Sequence, residues 1–218
     1  SVGGLPKNPI PPFNYKAPFS PIDVIEEYTR PARMMIDSKI ITKPALTDIE
    51  VIEIDRVGKL EAFNTDGLRS LMKTMKHIPN MKEKTLRYPG HAQLIKAMIN
   101  KGLFDKYNFE NTIKKLFEDW KLEDNEPEFT VLNINIFSEE QNIHYHLYDE
   151  NDTHSKSSSM ARTTGYTATA TINMLLQSLW NKKGVYPPEK VGENASSVSY
   201  THLRAHETPE HRVWPRVL

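Results

Sequence analysis

The 218-residue chain contains no cysteine. That excludes a disulfide framework, a thiolate-ligated zinc or iron–sulfur centre and a thiol nucleophile, and it fits a reducing, cytoplasmic setting. Charge of one sign is missing too. The 28 Lys and Arg balance 28 Asp and Glu, so the chain as a whole offers no basic surface to nucleic acid. No apolar run approaches the ~20 residues of a membrane span. The opening Ser1-Val2-Gly3-Gly4-Leu5-Pro6 lacks the basic and apolar regions of a signal peptide. Glycine is scarce, at nine residues, and neither G-x-G-x-x-G nor G-x-x-x-x-G-K-[ST] occurs, so the sequence brings no phosphate cradle. G-x-S-x-G and H-E-x-x-H are absent as well. The first residue is not Met, which reads as a segment cut from a longer protein.

Proline and aromatics are plentiful near the start. Residues 6–21 hold six prolines together with Phe13, Tyr15 and Phe19, a composition that forbids a helix but suits an ordered crossing loop packed on a surface. Beyond it the spacing predicts a short helix from Ile22 to Thr29, stopped by Pro31. Two short strands about the turn Asp37-Ser38 come next, then strands around Ile49–Ile54 and Leu60–Phe63 and a helix over Asp66–Lys76. A strand over Lys84–Tyr88 breaks at Pro89-Gly90. Helices over His91–Asn100 and Asn111–Trp120 precede an antiparallel hairpin, Phe129–Phe137 with Asn142–Tyr148. A long helix, Met160 to Trp180, carries the apolar stripe Ala168, Ile172, Leu175, Leu176 and Leu179. This order predicts an α+β fold: a mixed, mainly antiparallel sheet with helices on one face, the other serving a dimer or a cleft. Residues 1–195 read as one domain, and 196–218 as an unstructured tail without sustained periodicity.

Two segments carry candidate chemistry. In Thr85-Leu86-Arg87-Tyr88-Pro89-Gly90-His91 a strand ends beside a helix start, so a guanidinium adjoins free backbone N–H groups and makes a carboxylate receptor. The competing reading pairs Arg87 with a local acid and uses Tyr88 for packing. Ser157-Ser158-Ser159-Met160-Ala161-Arg162-Thr163-Thr164-Gly165-Tyr166 crowds hydroxyls and an arginine at a helix N-terminus that favours an anion; the alternative is a well-capped helix. His144 and His146 share a strand face, but no third ligand is placed to complete a metal site, and Asp149–Asp152 reads as a solvated turn.

These segments resemble the saccharopine dehydrogenase-like family, specifically its C-terminal substrate and dimerisation domain. The resemblance extends over Val2–Pro6, Asn14-Tyr15-Lys16, Thr85–His91, Ser159–Tyr166 and Gly184-Val185-Tyr186-Pro187-Pro188-Glu189-Lys190, in the family's order. Glu27–Arg33 and Leu60–Gly67 are most similar to the lysine 6-dehydrogenase branch. The resemblance implies the substrate domain of an oxidoreductase that uses NAD or NADP, with the cofactor held mainly by a preceding Rossmann domain, and a homodimer or higher homo-oligomer. It implies substrate contacts from Thr85, Leu86 and Arg87, with Arg87 on the amino acid's α-carboxylate. Thr65, Arg162 and Thr163 adjoin the cleft, Asn14 lies toward the cofactor, and Tyr88 and His91 are the nearest titratable candidates for catalysis. Where saccharopine dehydrogenases place an arginine after the motif asparagine, this chain has Thr65. The loss of that clamp favours free lysine over saccharopine. The segment alone is expected to be inactive. Readings left open are a saccharopine dehydrogenase proper and a binding or dimerisation module without chemistry. Val198–Thr208 resembles translated sequencing-adapter read-through, so the tail is expected to be artefactual and without packed contacts.

Overall fold

Glycine and proline set up the centre of the fold. In the computed structural model, which describes residues 1–193, the first strand is β1, Val2–Pro6. No alternating pattern announces it. It lies between β6, Lys84–Arg87, to which it is parallel, and β7, Glu128–Phe137, to which it is antiparallel. A Cβ at Gly3 would fall 2.8 Å from the Leu86 carbonyl oxygen, so the close approach of these strands requires the glycine.

The remaining strands complete one six-stranded sheet. β4, Glu50–Ile54, pairs antiparallel with β5, Gly58–Asn64, and β5 with β6. On the far side β7 pairs with β8, Asn142–Glu150, in the expected hairpin. The order is β4-β5-β6-β1-β7-β8. One parallel pair among antiparallel ones makes this a mixed, mainly antiparallel sheet in an α+β fold. β2, Ala32–Ile36, and β3, Lys39–Lys43, form the expected separate hairpin. Its Met34 and Met35 pack with Leu68 and Met72 in a small second core.

The helices are α1, Pro21–Thr29; α2, Leu71–Thr74; α3, His91–Asn100; α4, Phe109–Asp119; α5, Ser159–Leu176; and α6, Pro188–Gly192. Strand alternation puts Glu61, Phe63, Thr85 and Arg87 on one sheet face, and register carries that face through Gly4 to Glu128 and Thr130. α1 reaches it through Tyr28 on Arg87, α3 through its first turn on Glu61, and α5 through Ser159 on Thr130. The other face contributes Leu5, Ala62, Leu86, Phe129 and Val131 to the main core.

The crossing loop is ordered as expected, with Phe13 and Tyr15 buried. Three expectations are corrected. Helix over Asp66–Lys76 shrinks to the single turn α2, because Asp66 is consumed by Arg33, 2.9 and 2.8 Å from its carboxylate oxygens, and caps nothing. α5 ends at Leu176 rather than Trp180, and it buries Ala170 and Met174 while Ile172, Leu175 and Leu176 face solvent. Asp149 is buried against Arg162 rather than solvated. The tail at 196–218 lies outside the described residues.

Candidate functional site

β6 is central, and all four of its residues are buried. Alternation sends Leu86 into the core on one side, and Thr85 and Arg87 to the other. The chain turns at Gly90, whose φ of 94° suits glycine, and α3 begins at His91.

Arg87 is 3% exposed and forms the hub of a buried aromatic cluster. Its Nε donates to the Tyr28 hydroxyl (2.8 Å), and its Nη1 to the Leu86 carbonyl (2.8 Å). Nη2 is 3.4 Å from the Tyr15 hydroxyl, and the guanidinium carbon sits 4.3 Å above the Tyr15 ring. Tyr28, accepting from Arg87, passes its own proton toward His91 Nε2 at 2.9 Å. His91 Nδ1 in turn donates to the Phe13 carbonyl, also at 2.9 Å, which fixes the tautomer. Burial first, then the Arg87 charge, pushes His91 down to about 3, so the ring is neutral. Burial drives the Tyr15 hydroxyl up to about 12 and Tyr28 upward as well. Burial also opposes the Arg87 charge, but Tyr15, Tyr28 and Glu27 outweigh it and hold the guanidinium above its ordinary range. Glu27 is the loosest partner, 3.7 Å from Nη2, with 32% of its side chain exposed. Burial raises its pKa and Arg87 opposes the rise.

Beside the hub, the Thr65 hydroxyl donates to Glu83 at 2.6 Å and lies 2.8 Å from the Thr85 hydroxyl. Glu83 also accepts from the Gly67 N–H at 3.0 Å. Thr65 and Thr85 are therefore brought together, on the same face as Arg87.

The second motif forms its own cluster at the start of α5. Ser159 donates from backbone and side chain to the buried Glu128 carboxylate. Burial raises the Glu128 pKa against those bonds. Arg162 lies 3.2 Å from Asp149 and 3.2 Å from Asp152, and the Thr163 hydroxyl bonds the Ser159 carbonyl within its own helix.

The anion-receptor expectation changes here. At α3 the N–H groups of Gly90 and Ala92 are taken by Glu61, and at α5 that of Ser159 by Glu128. Both helix starts hold internal carboxylates, so neither offers a phosphate cradle, and the described residues do not fit a dinucleotide. Asn14 sits on the crossing loop in the left-handed region. Tyr88 donates to the Pro6 carbonyl at 2.9 Å, and His91 is sealed at 1% exposure with both nitrogens engaged. Arg87 is the buried cation of this cluster, and the cluster exposes no poised base. His144 and His146 bond Asn135 and Asn133 across the hairpin. Among the described residues no three His, Asp or Glu are placed to hold a metal, and no helix is long and apolar enough to cross a membrane.

Sequence reasoning missed Tyr28, Glu27, Glu61, Glu83 and Glu128. Tyr28 and Glu27 stand inside a quoted motif, but their roles depend on α1 crossing β6, and periodicity does not reveal which element a helix crosses.

Comparison with known proteins places these features in context. Residues 1–204 match the family described as Saccharopine dehydrogenase C-terminal domain. Among solved structures, the chain is similar to an apo histidine-tagged saccharopine dehydrogenase (L-Glu forming) from Saccharomyces cerevisiae, with a TM-score of 0.76 and 17% identity. The match covers 100% of this chain and 66% of that one, so the chain spans about two thirds of that enzyme's length. At that identity the likeness is one of fold.

Proposed function

Because the chain belongs to the saccharopine dehydrogenase C-terminal domain family, we propose that it is the substrate-binding domain of an NAD(P)-dependent amino-acid dehydrogenase acting on a C–N bond. The observation that carries this reading is the preorganised Arg87. Tyr15, Tyr28 and the Leu86 carbonyl fix its guanidinium, while its anionic partner Glu27 stands at 3.7 Å, beyond hydrogen-bond reach. A substrate α-carboxylate that displaces Glu27 meets a cation already oriented, so little ordering cost remains to be met on binding.

Thr65 and Thr85 supply hydroxyls next to that position, and Glu83 supplies a carboxylate. A hydroxyl at 65 offers no bidentate grip on a second carboxylate, and Glu83 suits a cationic amine; both favour lysine, oxidised at its ε-amine, over saccharopine. In this reading NAD or NADP is held by a preceding domain and supplies the hydride acceptor, while the residues described here bind and orient the substrate. A homo-oligomeric, cytoplasmic enzyme completes the reading.

The test is to recover the full gene and assay NAD(P)H formation with lysine and with saccharopine. Turnover of lysine supports the reading. Turnover of saccharopine alone would move the substrate to the other branch. No turnover of any amino acid, despite an intact dinucleotide-binding half, would leave a binding module without chemistry.

A further inference from the structure

A recess opens where the end of α1, the last turn of α3 and the loop after β3 meet. It encloses about 510 Å³, within the roughly 300–1,000 Å³ of small-molecule sites. Its deepest lining residues, Tyr28 and Leu46, are 2% and 1% exposed, and Ala45 and Ile99 add apolar walls. Two lysines line it, Lys43 and Lys96, and no acid does. Lys43 is engaged by Asp48 at 2.6 Å. Lys96 has no ion-pair or hydrogen-bond partner among the described residues, so it is the cation the recess offers.

One wall is held in an uncommon backbone shape. Leu46, bulky and buried, has a φ of 58°, and Asp48 a φ of 49°. Outside glycine such conformations persist only where the surroundings over-determine them, as they do at ligand clamps. Here the sheet supplies the constraint. The Leu46 N–H donates to the Asn64 carbonyl (3.1 Å), Asn64 Nδ2 to the Asp48 carboxylate (2.9 Å), and Lys84 Nζ to the Asp48 carbonyl (2.6 Å). Asn64 and Lys84 are both buried. The loop is therefore fixed in a form that keeps the recess open.

We propose that this recess is a second small-molecule site, one that takes an organic anion with a compact apolar body. Its carboxylate meets the Lys96 ammonium, and its body lies between Ala45, Ile99 and the Tyr28 ring. A preformed concave recess with apolar walls and one unpaired cation is the combination such a ligand requires. The site is separate from the amino-acid site proposed above, with which it shares only Tyr28, whose hydroxyl is taken by Arg87 and His91. The proposal does not rest on the dehydrogenase reading.

The probe is 4-phenylbutyrate, titrated calorimetrically into the full 218-residue chain. Binding should be saturable, with a Kd of about 1 mM or tighter. The corresponding amine, 4-phenylbutylamine, should bind at least about tenfold more weakly. Lys96→Gln should weaken 4-phenylbutyrate by at least about tenfold and narrow the gap between acid and amine. Ala45→Trp and Asn100→Trp, which fill the recess from two walls, should each abolish binding with an unchanged circular-dichroism spectrum. Asn100 is exposed, so its replacement keeps the test decisive if Ala45→Trp fails to fold. Four results would each overturn the proposal: no saturable binding by about 10 mM, an amine that binds as tightly as the acid, indifference to Lys96→Gln, or full binding in a folded tryptophan variant. None of them bears on the dehydrogenase assay.

Discussion

Arg87 is where the residue-scale account is most exposed to test. If the proposed dehydrogenase reading holds, Arg87→Ala in the full-length protein should cost about 2–4 kcal/mol in kcat/KM through loss of a charge-assisted pair with the substrate carboxylate. Arg87→Lys should recover only part of this, since an ammonium cannot reproduce the fork held between Tyr15, Tyr28 and Leu86. An unchanged kcat/KM in Arg87→Ala would reduce Arg87 to a structural residue. Tyr28→Phe tests the relay itself. It strips a partner from Arg87 Nε and from His91 Nε2 in one step, so urea denaturation should show a loss of about 1–3 kcal/mol.

His91 gives a pH prediction with a defined sign. The unfolded ring titrates near 6.5 and the folded one near 3. Between those values the unfolded chain binds a proton that the folded chain refuses. Stability is therefore complete above about pH 6.5 and is lost as pH falls toward 3. Glu27 and Glu128, whose pKa values burial raises, contribute in the opposite direction as pH climbs past about 4.5. The contribution of His91 is isolated by comparing the chain with His91→Gln: the variant's unfolding midpoint should depend less steeply on pH between about 4.5 and 6.5. Equal slopes would show that His91 is not held neutral. At this scale the sequence named Thr65, Thr85 and Arg87, and the fold joins them on one face. It also drew Leu86 into the same set, although strand alternation turns that side chain into the core.

At the scale of elements, what was legible followed periodicity and stop signals. Pro31 bounded α1 correctly, and the β7–β8 hairpin announced itself by alternation. β1 stayed hidden because its Gly3-Gly4 carries no pattern, yet it is the strand that joins β6 to β7 at the centre of the sheet. The same feature makes it fragile. Gly3→Ala would drive a Cβ to 2.8 Å from backbone oxygen and 2.9 Å from the Leu86 Cβ, neither of which can step aside. A loss of about 1–3 kcal/mol is expected by thermal or urea unfolding, and wild-type stability would contradict the packing described for β1 and β6. The stripe on α5 was legible as apolar, but which way it faced was not. An outward stripe and a core stripe have the same period. The carboxylates that fill the starts of α3 and α5 come from 31 residues earlier in each case, a distance at which sequence spacing carries no signal.

At the scale of the whole molecule, the electrostatic balance of the chain conceals strong local organisation. Cations and carboxylates are used internally, Arg162 with Asp149, Arg33 with Asp66 and Lys84 with Glu50. Helix ends are neutralised from within, and the described residues leave no cradle for a dinucleotide. In the reading proposed above, the cluster around Arg87 orients an amino acid and another domain holds the hydride acceptor. The measurement that bears most directly on this is NAD(P)H formation by the full-length gene product, with lysine as substrate, run beside its Arg87→Ala variant. The account predicts lysine-dependent reduction of NAD or NADP that falls by roughly 30- to 1,000-fold in kcat/KM in the variant. Absence of turnover with every amino acid tried, in a protein that still binds the dinucleotide, would contradict it.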